Sequence, residues 1–405
     1  MSFNVCTRFE GSDGGPQPAQ LRERIRNWNQ LAGLKSNILY ITLINMGLPK
    51  PNKIAGINYI AGLSSFKRKL VKIKLSANES ALGPSPKAIK EYNKVSRNFK
   101  RYPDTTGTSL RKVIANKFKI EKNRIILGSG SDQMFEFICN SFIKKNDEVI
   151  VPEYSFIIYR IYSKINGAKI IYAKEKNFTI SVKNILSKVT RKTKVVFLAN
   201  PNNPTGTYIS KKQLTHLRKK LRSNILLVVD DAYFEYLKQK DYLSGLKLFS
   251  RHKNVLVTRT FSKVYGLAGL RIGWGYASKE IINTLNLIKP PFNVSRPALF
   301  AASAAIKDTS WLKKEVNHIR KWNKILFKKF KEMKIATNES KTNFLLLNFD
   351  KVNISSKNVF QKLAKAGILV RAMNLYGIKN CLRITIGKSK ENKKLISIFR
   401  KILNV

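Results

Sequence analysis

The sequence predicts an α/β protein built around a parallel or mostly parallel sheet, with a smaller second domain toward the carboxyl end. Continuous apolar runs occupy residues 194–198, 225–229 and 254–257, and polar residues bound each run. Runs of this kind are typical of strands that are covered on both faces of a parallel sheet. A helix-like stretch at 211–221 separates the first two runs, and this order of strand, helix and strand favours helices layered on a sheet.

Helical patterns flank these runs on both sides. Ser109 precedes apolar residues at helical spacing between 110 and 118, and we expect it to cap a helix there. From about residue 296 the chain has the pattern of longer helices with short strands, and it closes with an amphipathic helix at 395–403. This change of pattern predicts the second, smaller domain.

Composition divides the chain into segments. Residues 1–45 contain a single lysine, and we expect an atypical extension that is disordered or a start-site artefact. Lysine, isoleucine and asparagine become frequent from Met46 onward. We therefore expect an N-terminal arm at 46–90, a large domain at 91–295 and a small domain at 296–405.

The chain carries a large positive charge, with 77 Lys and Arg against 24 Asp and Glu and a formal net charge of +53. Such a balance is typical of proteins that bind nucleic acid or an anionic membrane surface. Lysine is spread along every segment after residue 46, which favours biased lysine usage over a polyanion site. A basic nucleic-acid-binding protein stays open as an alternative, and small anionic substrates are expected to be attracted in either case.

Composition also argues against three kinds of site. Cys6, Cys139 and Cys381 are far apart and include no C-x-x-C pair, so a disulfide framework or a thiolate zinc site is unsupported and a reducing cytoplasm is expected. The three histidines show no metal-ligand spacing, so we predict no metal. No apolar run reaches the roughly 18 residues that a membrane span requires, so we expect no membrane partner.

A glycine-containing turn joins a predicted strand to a predicted helix. Residues 128–132, Gly-Ser-Gly-Ser-Asp, follow the apolar run 125–127. Such a junction directs backbone N–H groups and the positive end of a helix dipole toward an anion, which suits a phosphate. The turn lacks the third glycine of a dinucleotide fingerprint and the Gly-Lys-Ser/Thr of a Walker loop. A tight turn without a ligand explains this pattern equally well.

Polar residues follow the three apolar runs. The loop at 200–206, Asn-Pro-Asn-Asn-Pro-Thr-Gly, is rigid and polar, and open α/β sheets bind ligands at this edge. A buried carboxylate at Asp230 needs a partner such as a protonated heterocyclic nitrogen, whereas the other member of the pair, Asp231, is expected in an exposed loop. The segment 260–263, with Arg271 beyond it, suits a phosphate beside a lysine that forms a Schiff base.

These motifs together resemble a known family. The order of 200–206, Asp-Asp-Ala-Tyr at 230–233 and Thr-Phe-Ser-Lys at 260–263 is similar to that in the pyridoxal-phosphate-dependent aminotransferases of fold type I. Within that family the chain resembles the histidinol-phosphate aminotransferases from about residue 52 to its end, including Leu-Arg-Ile-Thr-Ile-Gly at 382–387. The resemblance implies a large domain with a mostly parallel seven-stranded sheet between helices, and a smaller α+β C-terminal domain.

The resemblance also implies a cofactor, pyridoxal 5'-phosphate, and roles for individual residues. Lys263 matches the lysine that binds the cofactor and moves the Cα proton, and Asp230 matches the carboxylate that keeps the pyridinium nitrogen protonated. Asn203 and Tyr233 match the pair that hydrogen-bonds the ring oxygen, and Tyr233 completes the catalytic set with Lys263 and Asp230. Tyr154 matches the aromatic side chain that stacks on the ring. The residues that match the family's phosphate-binding group are Ser131, Asp132, Thr260, Ser262 and Arg271.

Two arginines match the family's substrate-binding positions. Arg383 matches the arginine that binds the α-carboxylate of glutamate. Arg371, together with Tyr59, matches the residues associated with the phosphate of histidinol phosphate. Asn78 and Asn343 are expected to line the substrate pocket.

The implied reaction converts imidazole acetol phosphate and L-glutamate to L-histidinol phosphate and 2-oxoglutarate, reversibly, in histidine biosynthesis. A homodimer with shared active sites is implied, because Tyr102 matches a tyrosine that reaches the cofactor phosphate of the neighbouring subunit. The arm at 46–90 is expected to contribute to the small domain and to partner contacts. An aromatic amino-acid aminotransferase is the alternative within the family. A basic nucleic-acid-binding protein on an inactive aminotransferase fold is the alternative outside it; otherwise no specific nucleic-acid partner is expected.

Overall fold

The computed structural model describes residues 65–66, 69–95, 97–98 and 100–404. The described strands form a seven-stranded sheet, a four-stranded sheet and two pairs of short strands. The predictions for the extension at 1–45 and for Tyr59 lie outside these residues.

Strands and helices alternate along much of the chain. The strands are β1 (Ser65–Phe66), β2 (Lys69–Leu70), β3 (Ile73–Lys74), β4 (Ile125–Gly128), β5 (Glu148–Pro152), β6 (Lys169–Ala173), β7 (Thr193–Ala199), β8 (Leu226–Asp230), β9 (Val255–Thr260), β10 (Gly273–Tyr276), β11 (Ala336–Thr337), β12 (Phe344–Asn348), β13 (Ile368–Leu369), β14 (Arg371–Ala372) and β15 (Cys381–Thr385). The α-helices are α1 (Pro86–Val95), α2 (Thr108–Phe118), α3 (Asp132–Phe142), α4 (Ile157–Ile165), α5 (Val182–Leu186), α6 (Lys211–Lys220), α7 (Gly245–Phe249), α8 (Lys279–Ile288), α9 (Arg296–Lys307), α10 (Thr309–Glu332), α11 (Ser356–Lys365) and α12 (Ser389–Leu403).

The seven-stranded sheet has the order β4-β10-β9-β8-β7-β5-β6. Strand β10 runs antiparallel to both of its neighbours, and the other pairings are parallel. The prediction of a mostly parallel seven-stranded sheet is therefore confirmed. In β8, Leu226 and Val228 belong to one buried apolar cluster, whereas Leu227 and Val229 belong to another. A strand that is buried on both faces has no polar side, which explains its continuous apolar run.

Strands β7, β8 and β9 end side by side. Ala199 is paired with Asp230, and Asp230 is paired with Thr258. Because neighbouring parallel strands end at the same edge of a sheet, the loop at 200–206 and the segment 260–263 come together with Asp230 at this edge.

A four-stranded antiparallel sheet, with the order β11-β12-β15-β14, lies in the carboxyl-terminal part of the chain. Helices α10 and α11 each contact α12 and strands of this sheet. Strand β3, which precedes α1, pairs in parallel with β13, and the N–H of Leu75 donates to the carbonyl oxygen of Leu369 at 2.7 Å. Backbone pairing therefore joins the segment before α1 to a strand in the carboxyl-terminal part of the chain.

Helix α2 begins earlier than the sequence predicts. Gly107 precedes it with a φ of 58°, and Ser109 lies inside the first turn. The carboxylate of Asp104 accepts the N–H of Thr108 at 2.7 Å and the N–H of Thr106 at 2.9 Å. The prediction that Ser109 caps the helix is wrong, because an aspartate earlier in the chain satisfies these N–H groups.

Candidate active site

A cavity of about 330 Å³ opens where β7, β8 and β9 end. Side chains from β14 and β15 and from the segment 76–79 close it on the side of the smaller sheet. Most of the site residues predicted from the sequence meet here. The predicted residues that line the cavity are Asn78, Ser131, Asp132, Asn203, Asp230, Tyr233, Thr260, Ser262, Lys263, Arg271, Arg371 and Arg383.

Asp230 ends β8 and presents a largely buried carboxylate to the cavity. The Tyr159 hydroxyl donates to its Oδ2 at 2.7 Å, and the Thr258 hydroxyl donates to its Oδ1 at 3.0 Å. The N–H of Ala232 also donates to Oδ1, at 3.2 Å. Burial raises the pKa of Asp230 to about 6 in spite of these hydrogen bonds. A cationic N–H donor placed in the cavity would stabilise the ionised carboxylate.

The neighbouring Asp231 has a structural role. Its carboxylate accepts the N–H of Gly245 at 3.1 Å and the N–H of Leu246 at 3.3 Å, at the start of α7. The guanidinium Nε of Arg259 lies 3.5 Å from Asp231 Oδ2. The expectation that Asp231 lies in an exposed loop is wrong, since it is only 1% exposed and a buried cation with two N–H donors compensates its charge.

Lys263 follows β9 and extends its amine into the cavity. The amine donates to the carbonyl oxygen of Ala77 at 3.4 Å, and Nζ lies 5.9 Å from the centre of the Tyr233 ring. The pKa of Lys263 is lowered to about 8, mainly by burial and secondly by the positive charge of Arg383. A large fraction of the amine is therefore neutral near pH 8, and a neutral amine can attack a carbonyl carbon.

The start of α3 and Arg271 form a cationic pole of the cavity. Ser131 precedes α3 without a side-chain capping bond, so its hydroxyl does not compete for the first N–H groups of the helix. Arg271 donates from Nη1 to Ser262 Oγ and from Nη2 to Asp132 Oδ2, each at 3.4 Å. Gly130 has a φ of 81°, and a Cβ at this position would lie 2.4 Å from Arg271 Nη2. Only glycine leaves room for this placement of Arg271.

The end of β9 and the neighbouring strand β10 complete this cationic pole of the cavity. The N–H of Ser262 donates to Thr260 Oγ1 at 3.0 Å, which orients the hydroxyl at the end of β9. On the adjacent β10, a Cβ at Gly273 would lie 2.4 Å from the backbone nitrogen of Ser131. Hydroxyl groups, a guanidinium and a helix N-terminus thus converge, and this donor set suits a phosphate.

Arg371 and Arg383 are cross-strand partners in the smaller sheet. They are paired between β14 and β15, so their side chains project from the same face. Arg383 donates to Asn203 Oδ1 and, at 3.2 Å, to the carbonyl oxygen of Ser76. Both arginines are buried. Two guanidinium groups on neighbouring strands form a donor set that suits an anionic group of a substrate.

Hydrogen bonds connect Tyr233 to the segment that precedes α1. Asn78 Nδ2 donates to the Tyr233 hydroxyl at 3.1 Å, and the N–H of Asn78 donates to Thr385 Oγ1 at 2.9 Å. Asn343 Nδ2 donates to the carbonyl oxygens of Asn78 at 3.0 Å and of Glu79 at 3.1 Å. Asn78 therefore faces the cavity, whereas Asn343 holds the segment in place from outside the cavity lining.

Two predicted aromatic residues also lie outside the cavity lining. The ring of Tyr154 lies 5.7 Å from the ring of Phe178, and Phe156 lines the cavity two residues further on. Tyr102 is 79% exposed and stacks on Phe292 with ring centres 4.4 Å apart. The roles that the resemblance implies for Tyr154 and Tyr102 stay predictions.

Sequence reasoning missed several residues of this site. Glu79, Phe156 and Tyr376 line the cavity, and Tyr159 and Thr258 bind Asp230 from behind it. Thr258 could have been found, because it lies two residues before Thr260 and alternate strand residues share a face. Nothing local marks Tyr159, which lies in an apolar stretch of α4.

Other kinds of site are not found in the described part of the chain. Among these residues, no group of three or more His, Cys, Asp or Glu side chains could hold a metal ion. Their helices include none long and apolar enough to cross a membrane. The cavity at the sheet edge is the place where a lysine, buried carboxylates and arginines converge.

Known proteins resemble this chain over most of its length. Residues 71–399 match the family model "Aminotransferase class I and II". The chain is 51% identical over 361 residues to the histidinol-phosphate aminotransferase of Pelagibacter ubique, which covers 89% of this chain and 100% of that relative. It is 39% identical over 356 residues to the corresponding protein of Paramagnetospirillum magneticum, covering 88% of this chain and 98% of that one.

The crystal structure of histidinol-phosphate aminotransferase from Sinorhizobium meliloti in complex with pyridoxal-5'-phosphate has the same fold. Its TM-score is 0.78 at 24% identity, over 82% of this chain and 91% of that chain. The predicted fold, that of the fold type I pyridoxal-phosphate-dependent transferases, is confirmed. The chain belongs to the aminotransferases of class I and II. Within that class, its relatives make it a member of the histidinol-phosphate aminotransferase family.

Proposed function

We propose that this protein transfers an amino group between L-glutamate and imidazole acetol phosphate, giving 2-oxoglutarate and L-histidinol phosphate in histidine biosynthesis. The transfer runs in either direction and in two half-reactions. The observation that carries the proposal is the convergence, in one cavity, of an amine with a lowered pKa, a buried carboxylate and two paired arginines. The 51% identity to a histidinol-phosphate aminotransferase supports this choice among aminotransferase reactions.

Pyridoxal 5'-phosphate fits the residues that line the cavity. Lys263 would react with its aldehyde, Asp230 would meet its ring nitrogen, and Arg271 with the start of α3 would bind its phosphate. Two observations support the fit: the buried Asp230 carboxylate lacks a cationic partner among the hydrogen bonds described, and Gly130 leaves the room that Arg271 needs. When bound, the cofactor supplies an electron sink for the pair of electrons left as Cα loses its proton.

The catalytic residues are proposed to act on protons. Once the substrate amine has displaced it, the Lys263 amine accepts the Cα proton and later returns one. Asp230 holds a proton on the ring nitrogen. Tyr233 and Asn203 hydrogen-bond the ring oxygen, and Asn203 has its Nδ2 left for this purpose because its Oδ1 accepts from Arg383.

The arginine pair is proposed to bind the anionic groups of both substrates. Arg383 binds the α-carboxylate of glutamate in one half-reaction. Arg371 lies on the neighbouring strand. Together with Tyr59, it binds the phosphate of histidinol phosphate in the other half-reaction. Asn78 lines the pocket, and Asn343 supports it through the backbone of residues 78 and 79. A guanidinium suits both acceptors because it binds carboxylate and phosphate groups in a bidentate manner.

A homodimer is proposed from a surface rich in exposed apolar side chains. Tyr102 is 79% exposed, Ile89 46%, Phe300 40% and Phe292 38%. Apolar groups exposed in this number favour a protein contact. A second copy of this chain is the partner that the resemblance implies, since Tyr102 would then reach the neighbouring cofactor phosphate.

Two further properties belong to the same proposal. We propose that residues 91–295 form the cofactor-binding domain and 296–405 the small domain, with the arm at 46–90 adding β3 to the latter. We also propose the cytoplasm as the location, since Cys139 and Cys381 are buried free thiols that fit a reducing compartment.

Substitution of Arg371 tests the substrate assignment. In Arg371→Gln we expect kcat/KM for L-histidinol phosphate, with 2-oxoglutarate as acceptor, to fall by about 100-fold, because a charge-assisted pair to phosphate is lost. The kcat/KM for L-phenylalanine should fall less than about threefold, which also shows that the variant is folded. The exposed Arg251→Gln serves as the matched control and should leave both values unchanged.

The alternatives predict different outcomes of the same measurements. An unmodified enzyme whose kcat/KM for phenylalanine equals or exceeds its kcat/KM for histidinol phosphate would be an aromatic aminotransferase. A protein that gains no visible absorbance with pyridoxal 5'-phosphate, while Lys263→Ala behaves identically, would not be an aminotransferase at all. The named relatives favour neither the aromatic enzyme nor a nucleic-acid-binding protein.

A further inference from the structure

The hydrogen bonds to Asp230 are distributed unequally between its two oxygens. Oδ1 accepts two, from the Thr258 hydroxyl at 3.0 Å and from the N–H of Ala232 at 3.2 Å. Oδ2 accepts one, from the Tyr159 hydroxyl at 2.7 Å. Since each carboxylate oxygen accepts about two hydrogen bonds, the remaining acceptor site of Asp230 is on Oδ2. Tyr159 therefore binds the same oxygen that is left to meet a donor in the cavity.

The Tyr159 side chain is held in one orientation by aromatic packing. It is 0% exposed, and its ring stacks on Phe197 with centres 5.1 Å apart and planes at 9°. Edge contacts come from Phe135 at 4.8 Å and from Phe156 at 5.7 Å. Burial raises the pKa of Tyr159 well above its usual value, so the hydroxyl keeps its proton. The hydroxyl is consequently a permanent donor at a fixed position.

We propose that Tyr159 is a positioning residue, which directs Oδ2 of Asp230 toward the ring nitrogen of the cofactor and keeps this carboxylate ionised. The inference rests on the proposed function, because that function supplies the ring nitrogen. Neither role requires Tyr159 to touch the cofactor or the substrate, and it does not line the cavity.

The charges around Asp230 decide how its ionisation responds to the loss of this hydrogen bond. Burial raises the pKa of Asp230, Asp132 and Asp231 raise it further, and the hydrogen bonds from Tyr159 and Thr258 lower it. Without the Tyr159 hydroxyl, the pKa of Asp230 is therefore expected to rise. The remaining titratable or charged side chains that line the cavity are Glu79, Tyr233, Lys263, Arg271, Arg371, Tyr376 and Arg383.

Titration of the apoprotein with pyridoxal 5'-phosphate between pH 6 and pH 9 tests the proposal without relying on activity. In Tyr159→Phe the ring packing is kept and only the hydroxyl is lost. We expect the dissociation constant to be about tenfold higher than in the unmodified protein at pH 7, since a hydrogen bond to a charged group is lost. At pH 9 the ratio should fall to about threefold or less, because Asp230 is then ionised in both proteins. Lys263 titrates in both proteins alike, so its contribution cancels in the ratio.

Two further variants separate a hydrogen bond from a general effect on stability. Thr258→Val leaves the N–H of Ala232 on Oδ1, and we expect a smaller increase of about threefold at pH 7. Tyr236→Phe removes another buried hydroxyl, one without a hydrogen-bond partner among the described residues, and should leave the dissociation constant unchanged. A ratio of one for Tyr159→Phe, or a ratio that does not change with pH, would overturn the proposal. If the unmodified protein binds no pyridoxal 5'-phosphate, the proposed function itself fails.

Discussion

The reactivity of Lys263 is set by the residues around it. Burial and the charge of Arg383 lower the pKa of Lys263 to about 8, and a lysine amine attacks an aldehyde only in its neutral form. The apoprotein should therefore take up pyridoxal 5'-phosphate about tenfold faster at pH 9 than at pH 7, with a midpoint near pH 8. Stopped-flow absorbance across this pH range measures the rate directly.

Removal of Arg383 provides the matched comparison for this pH profile. Arg383→Met removes the positive charge that lowers the pKa of Lys263 most strongly. The pKa of Lys263 should therefore rise, and the midpoint of the pH profile for cofactor uptake should move to higher pH. A midpoint at pH 10 or above in the unmodified protein, where an ordinary lysine titrates, would contradict the expectation. Lys263→Ala should show no uptake phase at any pH.

Single residues at the site differ in how well the sequence predicts them. Lys263 and Asp230 follow apolar runs, and their position at the strand ends could be inferred from that pattern. Tyr159 could not, because its contact with Asp230 spans 71 positions and depends on how α4 packs on the sheet. Asp231 was misjudged for the same reason, since its partner Arg259 lies on a different strand.

At the scale of an element, the turn before α3 controls the placement of Arg271. Gly130 and Gly367 share a φ of +81°. A Cβ at Gly130 would lie 2.4 Å from Arg271 Nη2, whereas a Cβ at Gly367 would have no neighbouring atom within 4 Å. Alanine in this left-handed conformation costs roughly 1–2 kcal/mol at either position. Gly130→Ala should in addition weaken the binding of pyridoxal 5'-phosphate by about tenfold or more, because Arg271 must move.

Gly367→Ala is the control for backbone strain in this comparison. Both variants should lose similar thermal stability as apoproteins, and only Gly130→Ala should lose cofactor affinity in an absorbance titration. Cofactor affinity that stays unchanged in both variants would show that glycine at position 130 is not needed to place Arg271. Loss of affinity in both would point to strain and not to the placement of Arg271.

Elements were more predictable than their ends. The apolar runs gave β7, β8 and β9 because burial on both faces leaves a strand with no polar side. The start of α2 was misplaced, because Asp104 supplies the capping contact from outside the pattern that marked Ser109. The register of Arg371 with Arg383 also required the structure, since the two strands are separated by a turn around residues 374–376.

For the whole molecule, the positive charge is distributed much as the sequence suggests. Lysines lie on α1, α6 and α10, which belong to different parts of the fold. A net charge of +53 creates an attractive potential for anions at a distance. The arginine pair and the cationic pole then act at short range inside the cavity. The long-range attraction of anions should weaken as salt is added, whereas their short-range binding inside the cavity should depend on salt much less.

Added salt should therefore lower kcat/KM more for an anionic substrate than for a substrate without net charge. Between about 20 mM and 300 mM sodium chloride, kcat/KM for L-histidinol phosphate, which is a net anion at pH 8, should fall about three- to tenfold as the potential is screened. The value for L-phenylalanine, a zwitterion, should change less than about twofold on the same enzyme preparation. Phenylalanine is thus the internal control for effects of salt on the protein itself.

A parallel fall in kcat/KM for both substrates would mean that salt acts on the enzyme. No fall for either substrate would mean that the charge on the surface does not affect the cavity. The difference between the salt dependences of these two kcat/KM values measures how far the net charge of the chain assists substrate capture at the cavity.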